Sequence, residues 1–242
     1  MKLNDIMDDL SGRFLMHLTA EEYKNTERLF FQVEEAHWFY QDYYRRKHNL
    51  PYLNLRDFTL HLISHSNFAN NVTEIDENFK KFLKYKKIVP VFGALIFNCQ
   101  MTKILLVQGF GAKKSFTFPR GKVCKSENAI DCAVREVYEE VGYNIRGKLI
   151  YDLCLETGSK TRESRLFAIL NVSEQTTAFE TKTRCEIKDI KWIEIDHIEK
   201  TACEAYSYVK TYIKDIKKLV SEIEKTKPRL DINKVKKAFA VQ

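Results

Sequence analysis

The sequence predicts an α+β protein of two domains: an all-helical N-terminal domain, then a domain of strands and helices that ends in a basic helix. Residues 1 to about 86 have the spacing and capping signals of helices. At about residue 89 the period of the apolar residues changes and a β-rich run begins. Farther along, residues 128–140 have helical spacing without Gly or Pro, between strand-like runs. We therefore expect one domain over residues 1–86 and another over residues 89–242.

Capping signals and apolar spacing set the helices that are expected in the first domain. The residues from Thr19 to Glu22 have the form of a capping box, which favours a helix that begins there and runs to about His48. Shorter helices are expected over residues 55–65 and 77–85. The link between the two domains is expected near residues 84–88.

The second domain is expected to contain five strands, a central helix and a helix near its end. The strands are expected near residues 91–98, 103–108, 149–155, 164–171 and 190–195. The central helix, over residues 128–140, lies between the second strand and the third. Residues 210–224 favour a basic amphipathic helix. Its apolar side carries Val209, Tyr212, Ile213, Ile216 and Val220.

Composition and charge exclude some classes of protein. The apolar runs are shorter than the ~18 residues of a membrane span, and the acidic N-terminus is unlike a signal peptide. The six cysteines form no CxxC pair, which indicates reduced thiols in a cytosolic or nuclear protein. Residues 200–242 carry most of the net charge of +7, with eleven Lys and Arg against five acidic residues. This basic segment suits a polyanionic substrate longer than a nucleotide, and it equally suits a solvated helix face.

Three carboxylates in the central helix carry the strongest chemical signal. Glu136, Glu139 and Glu140 stand at positions i, i+3 and i+4, so they share one face of the helix. Like charges at this spacing repel each other, so the arrangement does not stabilise a helix. A hard divalent cation removes the conflict, since Mg²⁺ prefers carboxylate and water oxygens and usually bridges to substrate phosphates. The spacing therefore predicts a metal site for phosphate chemistry.

A second signal lies in the long helix expected in the first domain. Its apolar stripe consists of Leu29, Val33, Ala36, His37, Tyr40 and Tyr44. Trp38 and Asp42 lie one turn apart on another face, which Phe31 and Arg45 share. An outward aromatic ring and a carboxylate suit a flat cationic base, because the ring stacks while the carboxylate accepts the N–H donors of the base. Packing of Trp38 against the second domain is the alternative.

Residues 121–143 resemble the Nudix box at each fixed glycine and charged position. The matching positions are Gly121, Glu127, the run over residues 135–140, and Gly142; Tyr143 departs from the family, which prefers an aliphatic residue there. The resemblance implies an α/β/α sandwich for the second domain and a cation-dependent pyrophosphohydrolase. It also implies that Arg135 pairs with Glu127 and fixes the loop before the helix.

Most of the chain resembles the family of mRNA-decapping catalytic subunits, called decapping enzyme subunit 2. The shared segments are DDLSGRF, QVEEAHWFYQDYY, FPRGK and TRCEI, at residues 8–14, 32–44, 118–122 and 183–187. The resemblance implies hydrolysis of the m⁷G cap of mRNA, with release of 7-methylguanosine diphosphate and RNA that carries a 5′-monophosphate.

The same resemblance implies roles for particular residues. The cation, Mg²⁺ or Mn²⁺, would be held by Glu136, Glu139, Glu140 and the Gly121 carbonyl. The general base lies outside the box in this family, and the matching residue is Glu186, with Glu180 as a nearby alternative. The basic residues expected on the phosphate chain and the RNA are Lys122, Arg120, Lys210, Lys214, Lys217 and Lys218.

The family binds the cap base between two aromatic side chains. Trp38, with Asp42, matches the first; at the second position this chain has Ser207, so its neighbours Tyr206 and Tyr208 are both candidates. Such a site implies domain closure about a hinge near residues 84–88. The resemblance also implies a small activating subunit, decapping enzyme subunit 1, on the helical domain, no membrane association, and a cytoplasmic location that includes mRNA-decay granules.

Two other functions remain open from the sequence. A Nudix hydrolase of small nucleotides, such as dinucleotide polyphosphates or nucleoside diphosphate derivatives, would have the same box. A non-catalytic cap- or RNA-binding module would share the basic segment and Trp38. Metal-dependent turnover excludes the binding module, and the product released from capped RNA distinguishes the two hydrolases.

Overall fold

A computed structural model of the chain describes residues 2–66, 72–110, 115–124, 126–184 and 186–226. The chain divides into two compact units. Unit 1 comprises Met1–Pro90 with Lys160–Arg162, and unit 2 comprises Val91–Ser159 with Glu163–Gln242. Within the described ranges, none of the helices combines the length and the apolar character that crossing a bilayer requires.

Unit 1 is built from helices. They are α1 (Leu3–Phe14), α2 (Ala20–Lys24), α3 (Thr26–Phe39), α4 (Leu55–His65) and α5 (Val72–Ile88). A π-helical turn, Tyr40–Arg45, continues α3. Apolar residues of these helices form one core, which includes Ile6, Leu10, Phe30, Val33, Tyr40, Phe58, Leu62 and Phe82. The helix expected over residues 77–85 corresponds to the longer α5.

The continuous helix expected over residues 19–48 is wrong. The capping box is present, because the Thr19 side chain accepts from the Glu22 N–H and the Glu22 carboxylate accepts from the Thr19 N–H at 3.0 Å. The helix that it begins is only α2. Asn25 then has an extended backbone, and its side chain accepts from the Arg28 N–H at 2.9 Å. Asn25 therefore ends one helix and caps the next, which the apolar spacing does not reveal.

Unit 2 contains a mixed sheet of seven strands. They are β1 (Val91–Asn98), β2 (Lys103–Gly109), β3 (Phe116–Thr117), β4 (Arg120–Lys122), β5 (Ile150–Glu156), β6 (Ser164–Val172) and β7 (Ile187–Glu194). The order is β3-β2-β1-β6-β5, with β4 beside β1 and β7 beside β2. Only the pairing of β1 with β6 is parallel among these strands. The five expected strands correspond to β1, β2, β5, β6 and β7, whereas the short β3 and β4 were not expected.

Helices cover both faces of the sheet, which confirms the α/β/α sandwich. The helix α6 (Ala129–Val141) lies on one face, and α7 (Ile195–Lys200), α8 (Ser207–Lys210) and α9 (Ile213–Thr226) lie on the other. The central strand β1 is buried on both sides, because Ala94 and Ile96 pack with α6 while Leu95 and Phe97 pack with α9.

The C-terminal basic helix is present as α8 and α9. Its buried stripe consists of Val209, Ile213, Ile216, Leu219 and Ile223, at spacings of three and four residues. Lys214 and Lys218 are exposed. Five of the eleven basic residues counted above lie outside the described residues. They are Lys227, Arg229, Lys234, Lys236 and Lys237.

Candidate active site

The helix α6 is defined at both ends by local sequence. The Asn128 side chain accepts from the N–H groups of Ile130 and Asp131 at 3.0 and 2.9 Å, which caps the first turn. At the other end Gly142 is left-handed (φ 69°) and its N–H donates to the Tyr138 carbonyl at 2.9 Å. A side chain at Gly142 would also overlap the Glu180 carbonyl, so the glycine permits the close approach of that segment.

Arg135 ties α6 to the loop that precedes it. Its guanidinium forms a two-point ion pair with Glu127, both N···O distances being 2.8 Å. The same group donates to the Lys122 carbonyl at 3.0 Å. Glu127 in turn accepts from the Cys124 N–H at 2.9 Å, and these contacts lower the pKa of the Glu127 carboxyl. The pairing implied by the resemblance is present, and it fixes Lys122, Cys124 and Glu127 near the helix.

Glu136 and Glu140 are the buried carboxylates of the site. Glu140 accepts from the Arg120 N–H at 3.0 Å. Burial raises the pKa of Glu140 well above its ordinary value, and the negative charge of Glu186 raises it further. Burial likewise raises the pKa of Glu136, to about 7, although Arg135 opposes the shift. Each carboxylate is thus held in a place where its negative charge lacks sufficient compensation from the protein.

Gly121 allows strand β4 to approach Glu136 of α6 closely. A Cβ atom at residue 121 would overlap the Glu136 carboxylate, whereas a Cβ at Gly93 on β1 would overlap the backbone of Pro119 and Arg120. The first contact involves the end of a flexible side chain and the second involves main chain. Of these two glycines, only Gly121 therefore directly limits the position of a carboxylate of the site.

Glu186, and not the Glu180 side chain, acts on the buried carboxylates. Glu186 immediately precedes β7, is exposed, and raises the pKa of both Glu136 and Glu140 through its charge. The Glu180 carboxylate instead pairs with Lys182 at 2.9 Å, which lowers the pKa of Glu180. The chain around Glu180 contacts the end of α6 through its backbone, since its N–H donates to the Val141 carbonyl at 3.1 Å.

The carboxylates do not form a preformed metal-binding site among the described residues. Among the described residues, no group of three or more His, Cys, Asp and Glu side chains is arranged to hold a metal ion. Arg135 donates to Glu136 at 2.7 Å and to Glu139 at 3.1 Å, so it holds these two carboxylates. The Gly121 carbonyl is the acceptor for the Cys132 thiol at 3.7 Å. The ligand set of Glu136, Glu139, Glu140 and the Gly121 carbonyl remains a prediction.

Arg120 links the carboxylate site to the aromatic cluster under α8. Its guanidinium lies 4.7 Å from the centre of the Tyr208 ring and donates to the Thr157 hydroxyl at 3.4 Å. Tyr206 stacks instead on Phe116, with ring centres 5.4 Å apart. Tyr208 is thus the candidate that lies beside a predicted phosphate-contacting residue. Thr157 was missed from the sequence, because a single threonine carries no signal of its own.

The predicted phosphate- and RNA-contacting lysines differ in their surroundings. Lys217 pairs with Asp196 and Glu199, and Lys210 donates to the Thr201 carbonyl at 2.7 Å. Lys122 is half-buried in β4, beside Gly121. The exposed Lys214 and Lys218 are on α9. The structure therefore brings Arg120 and Lys122 to the box, and it places the other four lysines on the C-terminal helices.

Trp38 and Asp42 lie in unit 1. Trp38 is 57% exposed at the end of α3, whereas Ala36 and Tyr40 of the apolar stripe are buried. Asp42 is half-buried on the π-helical turn. Phe31, seven residues before Trp38 on α3, packs edge-on against Phe82 of α5 at 5.1 Å. Arg45 lies on the π-helical turn, which changes the rotation per residue, and its guanidinium is 5.1 Å from the centre of the Tyr52 ring.

Tyr143, the departure from the usual box, has a packing role. Its ring contacts Phe179 edge-to-face at 5.7 Å, and Phe179 contacts Trp192 in the same manner at 5.9 Å. This aromatic row extends the apolar layer under α6, away from the carboxylates.

Comparison with known proteins identifies two families along the chain. Residues 5–85 match the "Dcp2, box A domain", and residues 87–212 match the "NUDIX domain". The chain is 39% identical over 191 residues to the "mRNA decapping complex subunit 2" of Schizosaccharomyces pombe, which covers 78% of this chain and 26% of that protein. It is 37% identical over 210 residues to the "m7GpppN-mRNA hydrolase" of Saccharomyces cerevisiae, covering 86% and 21%. It spans about a quarter of the length of these relatives.

A solved structure of a Caenorhabditis elegans Ap4A hydrolase binary complex aligns with 56% of this chain and 99% of that chain, at 20% identity and a TM-score of 0.45. At that similarity the alignment says nothing about substrate. The family matches confirm the resemblance to decapping enzyme subunit 2. Because the NUDIX match spans more than half of the sequence, the protein belongs to the Nudix family, with a Dcp2 box A domain ahead of its Nudix domain.

Proposed function

We propose that the protein hydrolyses the m⁷G cap of mRNA, releasing 7-methylguanosine diphosphate and 5′-monophosphate RNA, which commits the RNA to 5′–3′ decay. The observation that carries this proposal is the joining of a Dcp2 box A domain to a Nudix domain in one chain. The box is common to hydrolases of many nucleotides, whereas relatives that align with most of this chain are named "mRNA decapping complex subunit 2" and "m7GpppN-mRNA hydrolase". A cytoplasmic location, including mRNA-decay granules, belongs to the same proposal.

The buried carboxylates fit a divalent cation. Glu136 and Glu140 are held in places where burial disfavours their charge, and Glu186 adds a third negative charge. Carboxylate and carbonyl oxygens are the ligands that Mg²⁺ and Mn²⁺ prefer. We propose that Glu136, Glu139 and Glu140, with the Gly121 carbonyl, hold Mg²⁺ or Mn²⁺. A bound cation would supply neutralisation of phosphate charge.

The residues around the carboxylates supply the remaining groups. Glu186 accepts the proton of the attacking water, which its position beside Glu136 and Glu140 supports. Arg120 and Lys122 contact the phosphate chain. The Arg120 N–H also donates to the Glu140 carboxylate at 3.0 Å and so orients it. One short segment, β4, thus carries both the phosphate-binding side chains and the glycine that borders Glu136.

Base recognition is proposed for aromatic and acidic side chains of both units. Trp38 stacks on the methylated guanine while Asp42 accepts its N–H donors. Tyr208 is favoured over Tyr206 as the second aromatic, because Tyr208 contacts Arg120. Lys210, Lys214, Lys217 and Lys218 attract the RNA chain, and an activating subunit binds the helical domain.

The test of this function is incubation of cap-labelled RNA with the protein and Mg²⁺ or Mn²⁺, with the Glu140→Gln variant in parallel. Release of 7-methylguanosine diphosphate by the wild type alone supports decapping. Hydrolysis of free dinucleotide polyphosphates without that release identifies a small-nucleotide hydrolase. Inactivity on both substrates, even with the activating subunit present, contradicts an enzymatic function.

Replacing Gly121 with alanine is expected to impair hydrolysis without unfolding unit 2. The new Cβ displaces the Glu136 carboxylate, whose side chain can rotate away. We expect kcat to fall by about tenfold or more, since a ligand moved by 1 Å can cost about 10²-fold. Kinetics and thermal unfolding measure the two effects. Gly12→Ala on α1, where the new Cβ meets only the Met16 sulfur at an ordinary 3.9 Å, is the control that should keep kcat and should not lower the Tm. Gly93→Ala should unfold the protein because its new Cβ overlaps main-chain atoms. Unchanged kcat in Gly121→Ala would contradict the placement of Glu136.

Replacing Trp38 with alanine is expected to reduce discrimination between methylated and unmethylated caps. A cation–π contact of about 1–2 kcal/mol corresponds to roughly 5- to 30-fold in the ratio of kcat/KM values. Trp38→Phe should keep most of the ratio. Met16→Ala, at a residue of unit 1 that is 75% exposed, is the matched control. Equal activity of the wild type on both caps would exclude this role for Trp38.

A further inference from the structure

Phe110 is a large, exposed aromatic residue whose backbone is bonded to that of Glu186. It follows directly after β2 and is 55% exposed. An exposed Phe is unremarkable alone, since much of a protein surface is apolar. The position of Phe110 is informative, because the Phe110 N–H donates to the carbonyl of Glu186 at 3.1 Å. The backbone thus fastens Phe110 beside Glu186, whose charge acts on Glu136 and Glu140.

A β-bulge sets this juxtaposition. Along the β2–β7 ladder Gln108 pairs with Asp189, but Gly109 pairs with Ile187, so one residue of β7 is unmatched. Bulges bend a strand and re-aim the side chains at its end, and they are frequent beside active sites. The bulge lies immediately before Phe110 on one strand and immediately after Glu186 on the other. It therefore sets the direction in which both residues leave the sheet.

Other exposed aromatics in the described part of unit 2 lack this connection. Tyr138 lies on α6 about 160° around the helix from Glu140, and Tyr151 lies on the edge strand β5 and is 63% exposed. Neither has a backbone contact to Glu186 among the hydrogen bonds of the described residues. The Phe110 side chain has no charged or hydrogen-bonding group. It therefore suits the face of a nucleobase, which stacks on an aromatic ring whatever its identity.

We propose that Phe110 is a stacking platform for the nucleobase of the first RNA nucleotide, the one joined to the phosphate chain that is hydrolysed. This inference rests on the proposed function. The capped base needs a carboxylate for its N–H donors, and Asp42 is assigned to it, whereas the first nucleotide of an mRNA varies in identity. A ring without hydrogen-bonding groups stacks on any of the four bases. Phe110 thereby positions the RNA without selecting its sequence.

The test compares Phe110→Leu, which keeps an apolar side chain but cannot stack, with Phe110→Trp, which can. Substrates are capped RNAs of about 30 nucleotides, with either a normal or an abasic first nucleotide. For normal RNA we expect Phe110→Leu to raise KM by roughly 5- to 150-fold, the range that stacking of one base implies. We expect kcat to stay within about twofold. Phe110→Trp should match the wild type, and so should the control Tyr151→Leu.

On RNA with an abasic first nucleotide the wild type and Phe110→Leu should have the same KM. A wild-type KM on normal RNA for Phe110→Leu overturns the proposal. A penalty that persists on abasic RNA and disappears with an unmethylated cap also overturns it, and assigns Phe110 to the cap base. A wild type that releases no 7-methylguanosine diphosphate contradicts the proposed function, and that result does not decide the role of Phe110. Binding of 5′-monophosphate RNA with normal and abasic first nucleotides to both proteins then still decides the role of Phe110.

Discussion

Glu140→Gln should abolish cap hydrolysis while RNA binding is largely kept. The carboxylate is buried, and its hydrogen bond from the Arg120 N–H at 3.0 Å can be kept by an amide oxygen of the same shape. The substitution therefore removes charge with little change in packing. Stabilisation of transition-state charge by a cation is worth several kcal/mol, and each 1.36 kcal/mol is tenfold in rate. We expect kcat to fall by about 10³-fold or more in single-turnover assays with cap-labelled RNA.

The control for this substitution is Glu224→Gln, an exposed residue of α9 that loses the same charge. It should keep wild-type kcat. Affinity for RNA, measured by fluorescence anisotropy, should change by less than about threefold in Glu140→Gln, since the phosphate and RNA contacts are assigned to other residues. A variant that hydrolyses capped RNA at a tenth of the wild-type rate or faster would remove Glu140 from the metal site.

The same variant should be more stable than the wild type when divalent cations are chelated. Burial and the charge of Glu186 raise the pKa of Glu140 in the folded protein above its ordinary value of 4.5. The stability that the neutral form contributes is therefore complete below about pH 4.5 and is lost as pH rises through the folded-state pKa. At pH 8 the uncharged Gln side chain avoids the destabilisation that a buried, ionised carboxylate causes. We expect a rise in Tm of at least about 2–4 °C, the shift that 1 kcal/mol gives in a chain of this size.

Adding Mg²⁺ or Mn²⁺ should reverse the order of stability. The cation binds the folded wild type and stabilises it by mass action, while Glu140→Gln has lost a ligand and gains less. Thermal unfolding with chelator, and again with each cation, measures the change. A Tm for Glu140→Gln that lies below the wild type in chelator would contradict the buried, uncompensated charge.

Glu186→Gln should lower kcat by about 10²- to 10⁴-fold, the contribution of a positioned general base. Glu186 is exposed, so the substitution should not lower the Tm. Its charge is nevertheless felt by Glu136 and Glu140, which places it at the carboxylate site. Single-turnover rates at saturating RNA separate this loss from any change in binding.

Glu180→Gln is the matched control, because the same charge is removed from a residue in the same connecting segment. The Glu180 carboxylate pairs with Lys182 at 2.9 Å on the exposed surface, and such pairs contribute little to stability. We expect kcat within about threefold of the wild type. A large loss in Glu180→Gln together with a small one in Glu186→Gln would exchange the two roles.

The sequence by itself determined the features that depend on local spacing. The i, i+3, i+4 pattern placed Glu136, Glu139 and Glu140 on one helix, which was expected over residues 128–140 and is present as α6. The apolar run of β1 and the change of period before it separated the helical part from the sheet. These features follow from backbone periodicity and capping, which act between residues close in the chain.

Tertiary structure alone decided what depends on contacts between distant segments. The burial that raises the pKa of Glu136 and Glu140 comes from packing of α6 on the sheet. The β2–β7 bulge brings Phe110 to Glu186, 76 residues farther along the chain. The spacing of residues in a sequence does not predict such contacts, since strand register and burial are set only when the sheet is assembled.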